Sequence, residues 1–554
     1  MKWTRPKAIL IAAALWAGIY LPGLGQMEFR GEEGRRVLPA VTMLQGPGTL
    51  ANWLVPQVAG EKYFNKPPGI NWIVAASFAA TGRQNEFTAR LPSALSVLFL
   101  ALLLIGMNST FLDVPARLTA AALFMASPVM IIKGRSIEID AIYTCITGMA
   151  ILWWLNQFAH GGRPWRQWIV PGLLLAVGSL IKGPFLAVPY YAVVICVLLY
   201  ARQWRQLLRL PHLVSAAVVL VVGLGWLILV RRLAGAELVS QTIEGQFTAR
   251  VQEISPVRWL AEVGQSLGHF APWVFMLPIL WMKSFVARIP EPHRPLFRGC
   301  RLGMVLGYAG LCLVPGLLWR YTMPALPTAA ILLGWLVSRP RPALATDRLW
   351  RALELAAAPA LLGACAVIGI KLGWTSTLIA AMAAIGASAL VLWILRARLE
   401  GGVNLTLGTT VLAVLAVLLI VQFQAALWPQ GQKRRAEAAL VNQAVPPGQT
   451  LYIFNPGYQR FLIFLRGPVQ YLMTPDQMDP NVRYLLYASE PRMEVKKPLV
   501  QDLRAELTKY RTAVLCEFTQ PASKHEKKQI FQVLECLPGA PETAAASEEA
   551  AKQQ

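Results

Sequence analysis

The chain has 554 residues, of which 55% are hydrophobic and 15% are charged, and its formal net charge is +23. Soluble globular proteins average about 25% charged residues, so the composition excludes an ordinary soluble domain. Apolar runs of roughly 20 residues, the length that crosses a bilayer, recur with basic residues between them. The sequence therefore predicts a polytopic α-helical membrane protein whose surplus Lys and Arg lie in cytoplasmic loops and contact membrane lipids. It contains no aromatic-basic motif of a nucleic-acid-binding module, so nucleic acid is not predicted as a partner.

The first apolar run follows Lys2, Arg5 and Lys7, which predicts a cytoplasmic N-terminus. This run has no convincing small-residue cleavage site, so we interpret it as an anchor and not as a signal peptide. Counting apolar runs by length gives about thirteen transmembrane helices, which form a domain over residues 1–427. Alternate connections are basic and fall on the cytoplasmic side, as in "HGGRPWRQ" and "SRPRPALATDRLWR". The same count places the chain after about Trp428 outside the cytoplasm.

The connections on the outer side of the membrane carry acids as well as bases. The first of them, about residues 25–90, contains "MEFRGEEGRR" and "GEKYFNKPPGINW", and later ones contain "KGRSIEID", "IKGP" and "WRYTMPALP". Acidic side chains near a bilayer are unfavourable unless they have a partner or a task. The acids on this face are Glu28, Glu32, Glu33, Glu138 and Asp140.

Cations on the same face suit a substrate with a lipid tail and a phosphate head. The tail would lie between spans, and the phosphate would bind Lys or Arg. The candidates are Lys66, Lys182 and Arg250. The alternative for each lysine is snorkelling, in which the stem lies in lipid and the head reaches water. Two prolines fix the backbone after Lys66, which favours a site role there.

The carboxylates indicate group transfer, because a carboxylate can accept the proton of an attacking hydroxyl while cations stabilise a departing phosphate. Glu32 and Glu33 are adjacent, so only one of them is expected to face a site. The alternative for this pair is a solvated charge pair or the start of a helix. Asp140 lies where "SIEID" enters the next apolar run, and its alternative role is a helix N-cap.

Residues 428–538 have a different pattern. Short strand-like runs such as "TLYIFN", "VRYLLYAS", "TAVLCEF" and "IFQVLEC" alternate with the amphipathic "KPLVQDLRAELTKY". They predict a small extracytoplasmic α/β domain, followed by a disordered tail over residues 539–554. Cys516 and Cys536 lie near strand ends there, and both a disulfide and two free thiols remain open.

These motifs resemble the C-type glycosyltransferases, in particular the branch of aminoarabinose lipid A transferases and protein O-mannosyltransferases. The first outer loop contains "EEGRR", "ML", "NWLVP", "YFNKPP", "NW" and "ARLPSAL" in the order of that family. Later matches are "SIEID", "IKGP", "FAPW" and "RYTMPALPTAAILLGW". The resemblance covers roughly residues 1–335 and not the C-terminal domain. Two departures are Glu32, where the family usually has Asp, and "EGQFTAR", where many relatives have Glu-His.

The resemblance implies a C-type glycosyltransferase fold and a polyprenyl-phosphate sugar donor such as an undecaprenyl-phosphate sugar. It gives Glu32, Glu33 and Asp140 catalytic roles, and it assigns the donor phosphate to Lys66 and Arg250, with Lys182 as a further candidate. It places Tyr63, Arg320 and Tyr321 at the substrate. We expect an inverting enzyme, because one attack on a lipid-phosphate sugar inverts the anomeric carbon.

The expected acceptor is a lipid A phosphate, and the expected sugar is 4-amino-4-deoxy-L-arabinose. The protein is expected in the bacterial inner membrane, with its C-terminal domain in the periplasm. It is expected to act as a monomer. Transfer of another hexose or pentose to a protein or glycan hydroxyl is the alternative. A transporter or a scaffold is the alternative outside enzymes, but the charges lie in loops on one face and no internal repeat is present. The chain has neither a Gly-rich nucleotide loop nor an Asp-x-Asp motif. These absences disfavour a nucleotide-sugar donor. No particular cofactor is predicted, and a divalent metal stays open, although no motif supports one.

Overall fold

The computed structural model describes residues 3–63, 65–107, 110–252, 255–270, 273–337, 433–479, 481–490, 497–520 and 529–539. The spans predicted between residues 338 and 428 lie outside the described residues, as do residues 540–554 of the predicted tail. The chain divides into two compact units. We name them the membrane unit, Met1–Met27 with Phe64–Trp428, and the C-terminal unit, Glu28–Tyr63 with Pro429–Gln554. The C-terminal unit thus includes much of the segment that the sequence assigned to the first outer loop.

The described residues form the following helices: α1 (Arg5–Tyr20), α2 (Gly34–Gln45), α3 (Leu50–Leu54), α4 (Gly69–Thr81), α5 (Glu86–Gly106), α6 (Val114–Met125), α7 (Pro128–Gly134), α8 (Ile139–Ala159), α9 (Pro164–Lys182), α10 (Ala187–Tyr200), α11 (Leu210–Ala234), α12 (Ala236–Gln252), α13 (Pro256–Leu267), α14 (Lys283–Val286), α15 (Arg294–Cys312), α16 (Leu326–Val337), α17 (Lys433–Ala444) and α18 (Lys497–Leu507). The strands are β1 (Gln57–Val58), β2 (Glu61–Lys62), β3 (Leu451–Phe454), β4 (Val469–Leu472), β5 (Tyr484–Glu490), β6 (Tyr510–Gln520) and β7 (Gln529–Pro538). Two short 3-10 helices, Gly268–Phe270 and Trp319–Ala325, also matter for the site.

Three described helices, α5, α8 and α11, are long and apolar enough to cross a membrane. Helices α6 and α7 qualify together as a fourth but are bent by 64° at the break between them. The break has a local cause, since Ser127 precedes Pro128 and adopts an extended ψ of 129°, and a residue before proline avoids the helical conformation. The helical membrane protein is confirmed, whereas the count of about thirteen spans is not.

Helices α10 and α15 pack backbone against backbone because three glycines of α15 recur at four-residue spacing. A Cβ atom at Gly299 would lie 2.4 Å from the Cα of Val197, and one at Gly303 would lie 2.4 Å from the Cα of Val193. At Gly307 the equivalent distance, to the Cα of a proline, is 2.9 Å. Residues four apart share one helix face, so this stripe of small residues lets the two helices approach closely, as is common between membrane helices.

The C-terminal unit contains a five-stranded sheet in the order β4-β3-β5-β7-β6. Strand β3 is parallel to β4 and β5, while β7 is antiparallel to β5 and β6. Buried side chains of the sheet, among them Phe454, Leu485 and Leu534, share a core with Val500 and Leu503 of α18. Strands β3, β5, β6 and β7 and helix α18 lie where the sequence predicted them, whereas β4 was not among the predicted runs. A C-terminal domain that mixes helices with a sheet is confirmed.

Cys516 and Cys536 are both free thiols on neighbouring strands. The antiparallel register explains this, since it pairs Cys516 with Val533 and Cys536 with Thr512. Burial raises the pKa of the Cys536 thiol to about 11.

The hairpin β1–β2 turns at Ala59 and Gly60, whose φ angles are 54° and 85°. Such a two-residue turn needs positive φ at both positions. A side chain at Gly60 would also lie 2.7 Å from the Cβ atom of Tyr471 on β4, so a glycine is required there. The hairpin therefore packs on the sheet of its own unit.

Candidate functional site

The core of the candidate site is an ion pair between the ends of two packed helices of the membrane unit. Asp140 lies in the first turn of α8 and Lys182 is the last residue of α9. Lys182 Nζ lies 2.5 Å from Asp140 Oδ1. Both positions are electrostatically favourable, because a helix N-terminus attracts an anion and a helix C-terminus attracts a cation. Asp140 is only 5% exposed and the N-cap position of α8 is Glu138, so the N-cap alternative for Asp140 does not hold.

Tyr143, one turn along α8 from Asp140, fixes the backbone after Lys182. Its hydroxyl donates to the carbonyl of Gly183 at 2.8 Å and accepts the N–H of Leu186 at 2.6 Å. Gly183 has a φ of 99°, a conformation that glycine adopts without the penalty of other residues. The "IKGP" turn is therefore locked to α8, and Lys182 does not snorkel: its side chain is 14% exposed and directed to Asp140.

The 3-10 helix Trp319–Ala325 brings two further predicted residues to the same carboxylate. Arg320 Nε lies 3.6 Å from Asp140 Oδ2. The ring centroid of Tyr321 lies 4.5 Å from Lys182 Nζ, within the range of a cation–π contact. The structure thus brings together four of the residues singled out from the sequence: Asp140, Lys182, Arg320 and Tyr321.

A second ion pair joins α7 to the N-cap residue of α8, next to Asp140 in the sequence. Lys133, near the end of α7, contacts Glu138 with 2.5 Å between Nζ and Oε2. Lys133 Nζ also lies 5.5 Å from the ring centroid of Trp319. The motif "KGRSIEID" contains both residues, but neither Glu138 nor Lys133 was predicted to belong to the site. The charge alternation within that motif was the available signal.

His269 packs against the 3-10 helix Trp319–Ala325. Its ring Nδ1 lies 3.2 Å from the hydroxyl of Thr322, and its ring centroid lies 5.4 Å from that of Trp319. The carbonyl of His269 accepts a hydrogen bond of 2.7 Å from Ser127. Burial lowers the pKa of His269 to about 4, against an opposing effect of the Asp140 charge, so the imidazole is neutral at neutral pH. No sequence signal marked His269, which directly precedes the quoted "FAPW".

The "KPPG" motif packs against the end of α9. A Cβ atom at Gly69 would lie 2.6 Å from the carbonyl oxygen of Leu180, so only glycine allows this approach. The segment of Lys66 is thereby brought to the helix end that carries Lys182. Lys66 itself is partly buried. Arg250 lies near the end of α12, Ala236–Gln252, and its side chain is outside the described part of the structure.

Three predicted residues belong to the C-terminal unit. Glu33 precedes α2, is 3% exposed and accepts the backbone N–H of Arg30 at 2.9 Å. Glu32 is more exposed and pairs with Arg35 at 3.0 Å and with Arg36 at 3.6 Å. Arg36 also donates to the hydroxyl of Tyr63 at 3.1 Å. The helix-start alternative therefore describes Glu33, while Glu32 has the more accessible carboxylate.

The cluster around Asp140 has the chemistry of an anion site. Lys182 and Arg320 share one carboxylate, and each retains N–H donors beyond the single contact that joins it to Asp140. An incoming phosphate can bind such donors by charge-assisted hydrogen bonds. The aromatic rings of Tyr143 and Tyr321 make cation–π contacts with the ammonium group of Lys182. These contacts hold the ammonium group in place without neutralising its charge.

Comparison with known proteins finds similarity over part of the chain. Residues 65–228 match the model of the family described as dolichyl-phosphate-mannose-protein mannosyltransferase. An undecaprenyl phosphate-alpha-4-amino-4-deoxy-L-arabinose arabinosyl transferase of Pseudomonas savastanoi pv. phaseolicola is 28% identical over 348 residues, which cover 59% of this chain and 60% of that relative. A second such transferase, of Pseudomonas fluorescens, is 27% identical over 297 residues and 51% of each chain. The chain thus spans between 51% and 60% of the length of these curated relatives.

The solved structures give the fold. The crystal structure of ArnT from Cupriavidus metallidurans bound to undecaprenyl phosphate superposes with a TM-score of 0.67 at 17% identity, covering 96% of this chain and 98% of that one. The apo form of the same protein gives 0.67 at 16% identity. The resemblance drawn from the sequence motifs is confirmed as a resemblance: residues 65–228 are similar to the dolichyl-phosphate-mannose-protein mannosyltransferase family, and the chain shares the fold of the Cupriavidus metallidurans protein.

Proposed function

We propose that the protein is an inverting glycosyltransferase that takes a sugar from an undecaprenyl-phosphate donor and transfers it to a lipid A phosphate. The observation that carries this proposal is the buried cluster in which Lys182 and Arg320 converge on Asp140. Two cations at helix ends in a membrane protein suit the phosphate of a lipid-linked donor. The relatives that transfer aminoarabinose from undecaprenyl phosphate support 4-amino-4-deoxy-L-arabinose as the sugar.

The donor phosphate is assigned to Lys66, Lys182 and Arg250. Their task is greatest when the bond to the sugar breaks, because the phosphate then gains charge that preorganised cations stabilise. Asp140 orients Lys182 and Arg320. The rings of Tyr63 and Tyr321 are assigned to the substrate, where an aromatic face suits an amino sugar's cation.

The reaction is a single displacement. An acceptor oxygen forms a bond to the anomeric carbon while the bond from that carbon to the lipid-phosphate oxygen breaks, and the electron pair leaves with the phosphate. A lipid A phosphate is already ionised and needs no base, so the carboxylates would then recognise the amino group of the sugar. A hydroxyl acceptor instead gives up a proton, and Glu32 is the proposed base.

A second candidate is transfer of a hexose or pentose to a hydroxyl of a protein or glycan. The match to a protein mannosyltransferase family model favours it. The two candidates share the donor chemistry and differ in the need for a base. They are therefore separable by the acceptor that receives label.

We propose a bacterial inner-membrane location with a cytoplasmic N-terminus, a periplasmic C-terminal domain and a monomeric enzyme. The basic residues of alternate loops support this orientation. A reporter fused after Gln430 is expected to be exported, and one fused at Arg205 is expected to stay in the cytoplasm. Cytoplasmic activity of the Gln430 fusion would reverse the assignment of the C-terminal domain.

The test is transfer by the purified protein in liposomes. Undecaprenyl-phosphate aminoarabinose labelled in the sugar is supplied with lipid A, with a serine- and threonine-rich acceptor protein, or with neither. Label in lipid A, with the opposite anomeric configuration by NMR, is the expected result. Label in the protein would favour the second candidate. The absence of label from both acceptors, with this donor and with an undecaprenyl-phosphate hexose, would reject the proposal.

A further inference from the structure

The segment that carries Glu32 and Glu33 is bound to the C-terminal domain on both sides of the two carboxylates. We propose that the C-terminal domain positions this segment for the reaction, with Glu28 as the positioning residue that fixes it to α17. The inference rests on the proposed function for its effect on catalysis. Its structural half, the coupling between the segment and the domain, stands on contacts within the C-terminal unit.

Glu28 attaches the segment to the start of α17. Its Oε1 accepts the backbone N–H of Arg435 at 2.9 Å, and its Oε2 accepts that of Arg434 at 3.3 Å. These partners are 407 and 406 residues away in the sequence. The first amides of a helix have no partners within the helix, and a carboxylate there also interacts favourably with the helix dipole. Glu28 is 7% exposed, so this attachment is largely shielded from water.

Phe29 continues the attachment. Its ring stacks on Phe464 with 5.9 Å between centroids, and its carbonyl accepts a hydrogen bond of 3.2 Å from Arg460. The guanidinium of Arg435 lies 4.4 Å from the ring centroid of Phe464. One end of the segment is therefore bound through both side chain and backbone.

The other end is bound at Gly34 and Arg35. The guanidinium of Arg35 lies 5.0 Å from the ring centroid of Tyr458. A Cβ atom at Gly34 would lie 2.2 Å from the hydroxyl oxygen of Tyr458, so the backbone of the segment touches that side chain. Among the described residues this hydroxyl has no hydrogen-bond partner. Its position is therefore set by packing against the segment and not by a hydrogen bond.

These contacts leave only residues 30–33 between the two attachments. Glu33 closes that short turn by accepting the N–H of Arg30, and Glu32 pairs with Arg35. The position of either carboxylate thus follows the position of the C-terminal domain. A displacement of about 1 Å in a catalytic group can lower a rate about 100-fold. Loss of the attachment is expected to lower kcat and leave the donor KM nearly unchanged.

The first experiment compares Glu28→Gln with Glu535→Gln, a control whose carboxylate pairs with Arg483 on the surface of the same domain. Hydrogen exchange is followed in the full-length protein in detergent. Faster exchange at the amides of Arg434 and Arg435 and at residues 30–37, only in Glu28→Gln, is the expected result. Unchanged exchange in Glu28→Gln would overturn the coupling. This readout needs no substrate, so it remains valid even if the proposed function fails.

The second experiment uses the contact between Gly34 and Tyr458, which does not depend on Glu28. Gly34→Ala introduces a methyl group against the hydroxyl and is expected to lower kcat about 10- to 100-fold. Adding Tyr458→Phe removes only that hydroxyl and keeps the ring beside Arg35, so the double variant is expected to regain most of the loss. The single variant Tyr458→Phe is the reference for this comparison. A double variant no more active than Gly34→Ala would overturn the proposal, and so would full activity in a Glu28→Gln protein whose exchange has risen.

Discussion

The carboxylate of Asp140 and those of Glu32 and Glu33 are held in contrasting ways. Asp140 is buried among cations that come from the ends of helices far apart in the sequence. Among the described residues, Glu32 forms ion pairs with arginines three and four residues away, and it is considerably more exposed. A buried carboxylate whose partners are distant depends on the whole fold, whereas a local pair depends on a single turn.

This difference in burial separates a contribution to stability from a contribution to catalysis. Removing one partner of a buried pair leaves an uncompensated charge, so Asp140 should matter for stability as well as function. Exposed pairs contribute about 0–1 kcal/mol, so Glu32 should matter for function alone. The contrast is therefore measurable, because the two residues should respond differently in folding and in transfer assays.

The largest effect is expected from Glu32→Gln when the acceptor is a hydroxyl. The amide keeps the shape but cannot accept a proton, so transfer should fall about 100- to 10,000-fold while donor binding and thermal stability are retained. Glu32→Asp should keep part of the activity. Glu33→Gln is the matched comparison, because its amide oxygen can still accept the N–H of Arg30. Full transfer by Glu32→Gln at saturating substrates would reassign the role to Glu33 or Asp140.

The substitution Asp140→Asn tests how much the buried ion pair with Lys182 contributes to stability. The substitution leaves Lys182 largely buried without its carboxylate and is expected to destabilise the protein by about 3 kcal/mol. Thermal unfolding in detergent measures this loss. The double variant Asp140→Asn with Lys182→Met should recover part of it, because no buried ammonium group remains. Equal destabilisation by Glu535→Gln, at a surface pair, would contradict the contrast.

Lys66→Ala is expected to act on donor affinity. Loss of one charge-assisted hydrogen bond to the phosphate corresponds to about 1.5–3 kcal/mol, or about 10- to 150-fold in Kd. Binding of undecaprenyl phosphate by the purified protein is the measurement, and Lys62→Ala, an exposed lysine of the C-terminal unit, is the control. Normal affinity in folded Lys66→Ala protein would remove Lys66 from the phosphate site.

The smallest effect is a pH dependence of stability from His269. Its pKa in the folded protein is about 4, below the ordinary value of about 6.5, so the unfolded chain binds more protons between these values. Stability should therefore fall as the pH falls through this window and level off below it. The Tm of His269→Gln should decline less from pH 7 to pH 5 than that of the parent protein. The exposed His160 provides the control substitution, and parallel curves for parent and His269→Gln would contradict the assignment.

The sequence singled out several residues of the candidate site but not the contacts between them. Asp140, Lys182 and Tyr321 were recognisable because each stands in a short motif at the end of an apolar run. The contact between Arg320 and Asp140 was not, since the pairing of helix ends depends on how the helices pack. The role of His269 was equally hidden, because a single histidine beside an apolar run has no periodic or spacing signal.

In the fold, too, local elements were predictable from the sequence and contacts between distant segments were not. Four strands of the C-terminal sheet follow directly from alternating apolar runs, and their ends were predicted to within two residues, whereas the four-residue strand β4 was not predicted. The membership of residues 28–63 in the C-terminal unit could not be predicted, because it rests on contacts such as Glu28 with α17 and Gly60 with Tyr471. These depend on burial and shape complementarity between segments, for which local patterning gives no evidence.

The glycine stripe of α15 has a consequence for genetics. Helix α10 begins just after the turn that carries Lys182, and α15 ends shortly before the turn that carries Arg320. A larger side chain at Gly299 or Gly303 would push α10 and α15 apart. It would thereby also separate Lys182 from Arg320. In a saturation mutagenesis screen for sugar transfer, these glycines should therefore rank with the charged residues of the site, although both face the backbone of α10. Intolerant positions in this protein will then form a line along a helix as well as a cluster around a carboxylate.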